Sequence, residues 1–285
     1  MKMDIRLGDW NTLRIVRFTD HGAYLDGGNV DEILMPRAYV TEEMRPDDEV
    51  TVFVYLDQAE RLVATTETPL VRVGQFTFLR VAWVNEFGAF LDWGLMKDLF
   101  VPFSEQKRKM EIGEDYLVYV YVDEETQRIV ASAKVERFMR PAPRDYHRDR
   151  KVEILVQQKT PLGFKVIVDN AYAGMIYDNQ IYTTPHAGDR FTAYVITCRE
   201  DGKLDLSLQR LGKGRFRDFS DQLMDELKAE DGFLPYGDES SPDAIADRFG
   251  VSKKTFKRAL GTLYRNHRIT FVDGGIRLIE QRRRK

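Results

Sequence analysis

Up to about residue 210, short strand-like runs such as "NTLRIVRF" and "QFTFLRVAWV" recur with strongly β-prone apolar runs such as "DEVTVFVYLD" and "EDYLVYVYVD". Their β-branched and aromatic content predicts β-strands, and the Gly-, Asp- and Pro-containing breaks between runs predict turns. About five such strands fall within each stretch of some 60 residues, the pattern of a small barrel. Beyond residue 211 the pattern changes. "RFRDFSDQLMDELKAEDG" spaces Phe216, Phe219, Leu223 and Leu227 by 3, 4 and 4, which predicts an amphipathic helix ended by Gly232. "SPDAIADRFG" predicts a second helix with Ser241 as N-cap, Pro242 at its first position and Gly250 as its stop. "SKKTFKRALGTLYRNHR" predicts a third, capped by Ser252, with Phe256, Leu260, Leu263 and Tyr264 on its buried face. "ITFVDGGIRLIE" then predicts a hairpin turning on Asp273-Gly274-Gly275. Three helices and a hairpin make a winged helix-turn-helix.

The strand region repeats itself. "TDHGAYLDGGNVDEILMPRAYV" from Thr19 aligns without a gap on "NEFGAFLDWGLMKDLFVPFSEQ" from Asn85, at an offset of 66 residues. Gly22 falls on Gly88, Tyr24 on Phe90, Asp26 on Asp92 and Pro36 on Pro102. A looser third copy runs from about Lys151 to Arg210, its last two strands joined by "EDGK". The predicted organisation is a first barrel over 1–68, a second over 69–138, a Pro- and charge-rich linker over 139–149, a third barrel over 150–211 and a winged helix over 212–285. Within the second copy, Phe87 and Phe90 lie three apart, a spacing that puts them on opposite faces of a regular strand. A bulge at Gly88 would shift the phase and bring both rings to the outer face.

Charge sharpens this picture. The whole chain has a net charge of −3, yet residues 1–70 hold 7 basic against 14 acidic residues, while Arg248–Lys285 hold 12 basic against 2 acidic. So uneven a distribution predicts a localised anionic partner. Arg282, Arg283, Arg284 and Lys285 supply four of the cations in the basic stretch. No apolar run approaches the roughly 18 residues of a membrane span, and "MKMDIRLGDW" lacks the apolar core of a secretory signal. The lone Cys198 predicts a reducing compartment, so a cytoplasmic location is expected. His21, His147, His186 and His267 are scattered without metal-ligand spacing, and there is no phosphate-binding Gly-Lys-Ser loop. Asp92 and Asp123 suit turns better than acid–base work. Neither catalysis nor a cofactor is expected.

"GAFLD … LFVPFSE … VYVYVDEETQRIVASAK" in the second copy is similar to the S1 RNA-binding domain, a five-stranded OB barrel. Three such modules followed by a winged helix resemble the bacterial CvfB (conserved virulence factor B) family. The resemblance implies RNA binding and post-transcriptional regulation of gene expression. It also implies an RNA surface in each copy. In the second copy that surface comprises Phe87, Phe90 and Arg128, with Asp123 beside the last turn and Pro102 where the S1 pattern usually has histidine. In the first copy His21 and Tyr24 take the aromatic positions, Pro36 replaces the histidine, and Asp57 and Arg61 form the turn pair. In the third, Leu162 and Lys165 replace the aromatics, Tyr177 takes the histidine position and Lys203 the basic one.

Along the third helix, Lys253, Lys254, Lys257, Arg258, Arg265 and Arg268 are basic, with no acid in 253–268. Such a face suits phosphate contact more than base reading, since bidentate readers of adenine are scarce there. The expected partner is single-stranded RNA, held by base stacking on the barrels and by electrostatic contacts from the winged helix. The rival expectation is a DNA-binding transcriptional regulator that uses the winged helix, with the barrels as protein-interaction modules. The acidic first barrel is expected to contribute least to RNA affinity.

Overall fold

The computed structural model describes residues 4–177, 185–208 and 213–279, with side chains of the first long helix described from Phe219 onward. The chain divides into two compact units, Met1–Met139 and Arg140–Lys285. The first contains two closed five-stranded barrels. One is formed by β1 (Trp10–Thr19), β2 (Gly22–Leu25), β3 (Ile33–Pro36), β4 (Glu49–Leu56) and β5 (Leu62–Thr65). The other is formed by β6 (Phe76–Val84), β7 (Gly88–Leu91), β8 (Leu99–Pro102), β9 (Asp115–Val122) and β10 (Ile129–Ser132). In both, the long first strand pairs with the second and fourth, and the third pairs in parallel with the fifth. The second unit opens with a third barrel of the same strand order, β11 (Lys151–Thr160), β12 (Gly163–Val168), β13 (Tyr172–Tyr177), β14 (Arg190–Cys198) and β15 (Leu204–Ser207).

The three copies share their irregularities. Each long first strand shifts register at one place, between Ile15 and Arg17, Val81 and Trp83, and Val156 and Gln158. The bulge therefore lies on the first strand of each barrel and not at Gly88, which corrects the expectation above. Gly88 pairs with Pro102 at the start of β7, and a β-carbon there would come 2.2 Å from the Val101 carbonyl oxygen. Gly22 and Gly163 occupy the corresponding starts of β2 and β12. The glycine is needed because the third strand passes too close for any side chain.

The first two barrels share apolar packing. In β4, four consecutive residues, Val52 to Tyr55, are buried. Val52 and Val54 face the core of their own barrel, whereas Phe53 and Tyr55 join the core of the second. Period-two alternation sends them to opposite faces, and here both faces are covered. The ring of Trp93 receives Phe53 edge-on at 5.9 Å and Tyr55 at 6.4 Å.

Phe138, the last residue assigned to the second barrel, stacks on Tyr119 at 4.2 Å in the first unit. Part of the 139–149 segment is packed as well. In the second unit, Ala142 and Tyr146 belong to the core of the third barrel, and the Tyr146 hydroxyl donates to Asp169 at 2.7 Å.

The rest of the second unit is a winged helix: α1 (Lys213–Ala229), β16 (Phe233–Leu234), α2 (Pro242–Phe249), α3 (Lys253–Arg265), β17 (Ile269–Val272) and β18 (Gly275–Leu278), with sheet order β16-β18-β17. Ser241 and Ser252 cap α2 and α3 by accepting from Ala244 N and Thr255 N, and Gly250 closes α2 in the left-handed conformation. Phe219, Leu223, Leu227, Phe256, Leu260 and Leu263 meet in one core. Tyr264 does not join them. It is 51% exposed and lies against Phe271 on the wing at 5.2 Å, because the helix's buried stripe runs through Ala259, Leu260 and Leu263. The side chain of Phe216, and residues 280–285 with the terminal basic cluster, lie outside the described residues.

Candidate nucleic-acid interface

In the second barrel the aromatics are placed by two local devices. The Asn85 side-chain oxygen accepts from the amides of Phe87 (2.8 Å) and Gly88 (3.2 Å), fixing a tight turn before β7. That turn holds Phe87 outward, with 65% of its surface exposed. The bulge between Val81 and Trp83 sets Trp83 directly opposite Phe90. Their rings stack at 3.7 Å and 3°. Phe90 is half-buried, with Phe100 on a neighbouring strand at 4.9 Å. The Trp83 indole N–H donates to Asp98 at 2.8 Å, which locks the ring in place. Trp83, Phe90 and Phe100 thus form an aromatic shelf in which Trp83 covers one face of Phe90, so that Trp83 and Phe87 are its exposed members.

Trp83 and Phe100 were missed in the sequence. A strand with regular alternation gives no reason to pair Trp83 with Phe90; only the bulge does so.

Phe87, Phe90 and Phe100 also line a cavity of about 590 Å³ that opens between the first two barrels, with Lys97 and Arg128 at its edge. Arg128 is not a free cation. Its Nε lies 3.2 Å from Glu60, which belongs to the first barrel, and Lys97 Nζ lies 3.1 Å from the other oxygen of the same carboxylate. Lys97 also donates to the Asp57 carbonyl oxygen at 2.8 Å. Asp57 shapes the turn that carries Glu60, its carboxylate accepting from the amides of Ala59 and Arg61. Burial pushes the Asp57 carboxyl upward, but its hydrogen bonds with Arg61 and Ala59 outweigh this and hold it below the usual carboxylate range. Asp123 and Asp92 likewise accept turn amides, from Thr126 and Gly94.

The same surface in the first barrel is occupied. Arg17 lies over the Tyr24 ring at 4.0 Å and is held by Glu32 at 2.7 Å. The hydrogen bond to Glu32 raises the Arg17 pKa further, so the cation stays charged. His21 is exposed at the turn. In the third barrel Lys165 is exposed and sits opposite Gln158. The Tyr177 hydroxyl accepts from Arg199, which is itself paired with Asp205. Lys203 pairs locally with Asp201 at 2.8 Å.

On the winged helix, Lys254, Lys257, Arg258, Arg265 and Arg268 are exposed and Lys253 is half-buried. Lys257 meets Asp238 at 3.0 Å, and Arg265 Nε donates to the Gly261 carbonyl at 3.0 Å. Buried and exposed residues alternate along α3 in such a way that the cations stand opposite the apolar stripe. Among the described residues no group of three or more His, Cys, Asp or Glu is arranged to hold a metal. No described helix is long and apolar enough to cross a membrane.

Comparison with known proteins agrees with this layout. The S1 domain family matches residues 7–67 and again 73–134. The second domain of the virulence regulatory factor CvfB matches 137–210, and the CvfB-like winged helix domain matches 221–278. The chain is similar to the YitL protein of Bacillus subtilis (strain 168), with 30% identity over 282 residues covering 95% of this chain and 93% of that one. It is 26% identical over 284 residues to conserved virulence factor B of Staphylococcus saprophyticus, covering 96% and 95% of the two chains. Among solved structures, a multidomain protein with nucleic acid binding domains from Streptococcus pneumoniae TIGR4 is 26% identical, with 96% and 98% of the chains covered and a TM-score of 0.41. The matched modules are nucleic-acid-binding and regulatory in type rather than enzymatic.

Proposed function

The chain belongs to the CvfB family, and from that premise we propose that it is a cytoplasmic single-stranded RNA-binding protein acting in post-transcriptional regulation of gene expression. The observation that carries the reading is the aromatic shelf of the second barrel. Unpaired bases have accessible π-faces, and each base stacked on an aromatic contributes on the order of 1–3 kcal/mol. A duplex keeps its bases stacked on one another and has no comparable use for Phe87. The exposed cations of α3 supply phosphate contacts on the other unit. Two weak sites on one chain strengthen each other through effective concentration.

The cations of α3 also support the second reading, a DNA-binding transcriptional regulator with the barrels as protein-interaction modules. Competition separates the two. Unlabelled RNA, single-stranded DNA and duplex DNA of equal length are added to the protein bound to a labelled RNA. The RNA reading expects duplex DNA to compete worst, and Phe87→Ala to weaken RNA binding by roughly 1–3 kcal/mol. Duplex DNA competing best, with Phe87→Ala silent, would replace the RNA reading with the DNA one.

A further inference from the structure

The cavity between the first two barrels has a feature that a simple stacking surface does not require. One carboxylate, Glu60, reaches from the β4–β5 turn of the first barrel and places its two oxygens on two different cations of the second, Lys97 at 3.1 Å and Arg128 at 3.2 Å. A phosphodiester also presents two anionic oxygens on one centre, so the cation pair suits it as well as it suits Glu60. The two cations stand beside Phe87, Phe90 and Phe100 in a cavity of about 590 Å³, a size ordinary for a small-molecule site.

Glu60 occupies a strained position of its turn. It adopts φ +62°, a left-handed conformation that costs a residue with a β-carbon. The corresponding positions are Gln127 in the second barrel, at φ +57°, and Gly202 in the third, at φ +74°. The side chain of Glu60 is 36% exposed and that of Arg128 is 56% exposed. Ion pairs so open to solvent are weak and exchange readily. An incoming anion can therefore take over the cations without dismantling the barrel junction, which Phe53, Tyr55 and Trp93 hold from below.

We propose that this cavity takes one nucleotide, its base against Phe87, Phe90 and Phe100 and its phosphate on Lys97 and Arg128, and that Glu60 holds the phosphate position until the nucleotide displaces it. The first barrel then acts as a built-in competitor of RNA, which gives its surplus of acid a role. The proposal rests on the RNA reading above.

Its test is the affinity of the full chain for a labelled single-stranded RNA across a salt series, with wild type, Glu60→Gln, Arg128→Met and the double variant. Freeing the two cations should tighten binding about fivefold in Glu60→Gln, the scale of exposed charge pairs. It should also steepen the salt dependence by about 0.7 for each cation that newly meets a phosphate. Arg128→Met should abolish most of that gain in the double variant. Glu60→Asp, too short to bridge both cations, should act in the same direction and guards against a folding defect in Glu60→Gln. Adenosine 5′-monophosphate, titrated calorimetrically, separates the two sources of a nucleotide. Heat with Glu60→Gln that vanishes on adding Arg128→Met shows that a free nucleotide fits the cavity, and a response confined to RNA assigns the site to the strand. Unchanged or weaker RNA binding by Glu60→Gln and Glu60→Asp would overturn the proposal, provided Phe87→Ala still weakens RNA. If Phe87→Ala is silent as well, the RNA reading itself fails.

Discussion

A methyl group on Gly88 would sit 2.2 Å from the Val101 carbonyl oxygen, and on Gly22 2.1 Å from that of Met35. Backbone atoms of a paired strand cannot retreat without breaking the ladder, so these contacts are not relieved by side-chain motion. Gly88→Ala is expected to destabilise the first unit by about 2–4 kcal/mol, in the class of severe single-site effects. Trp10, Trp83 and Trp93 are the only tryptophans in the chain and all lie in that unit. Their fluorescence in urea therefore reports its unfolding apart from the rest, and a midpoint equal to wild type would refute the close-approach argument. At the same scale, Tyr24 and Phe90 occupy equivalent positions but have different surroundings. Arg17 covers the face of Tyr24, and Trp83 covers one face of Phe90 by stacking on it, but Trp83 is itself an exposed aromatic where Arg17 is a cation.

Elements differ in how far their boundaries follow from local chemistry. The helices of the winged domain do so closely, since their caps are short-range hydrogen bonds between residues three apart. Ser252→Ala removes the acceptor for Thr255 N and should cost about 1 kcal/mol. All described α-helices lie in Lys213–Arg265, so helical circular dichroism on heating tracks this domain, and an unaltered melting curve would deny the cap its role. The strands are less self-sufficient. β4 reads as an apolar run, and nothing within it says that Phe53 and Tyr55 belong to a neighbouring barrel. The bulges of β1, β6 and β11 are equally silent in sequence, yet they decide which side chains meet across the sheet.

For the molecule as a whole, charge is distributed by unit. The acidic first barrel supplies Glu32 to Arg17 and Glu60 to Lys97 and Arg128, the last being a cation that the S1 resemblance would leave to RNA. Cations of α3, by contrast, are largely turned to solvent. Lys254→Ala and Arg265→Ala should each lower the salt slope of RNA binding by about 0.7, the increment of one single-strand phosphate contact. A slope that stays at the wild-type value in both would show that α3 does not touch the backbone. Removing residues 1–68 is a poorer probe of the first barrel than it looks. Phe53, Tyr55 and Val63 complete the core of the second barrel, so truncation would strip that core as well as the acid.

The repeats and the winged helix were legible because they depend on local periodicity, recurring glycines and caps within one turn. So was the basic face of α3, which follows from a helical stripe, whereas Phe87 was expected outward from a bulge at Gly88 and is instead held there by the Asn85 turn. The sequence alone could not show that Trp83 faces Phe90, that Tyr264 leaves its core, or that Glu60 lies between Lys97 and Arg128. The first depends on a one-residue phase shift, the second on how the wing closes over the helix. The third joins side chains 37 and 68 positions apart through the packing of two barrels, information that no local pattern carries.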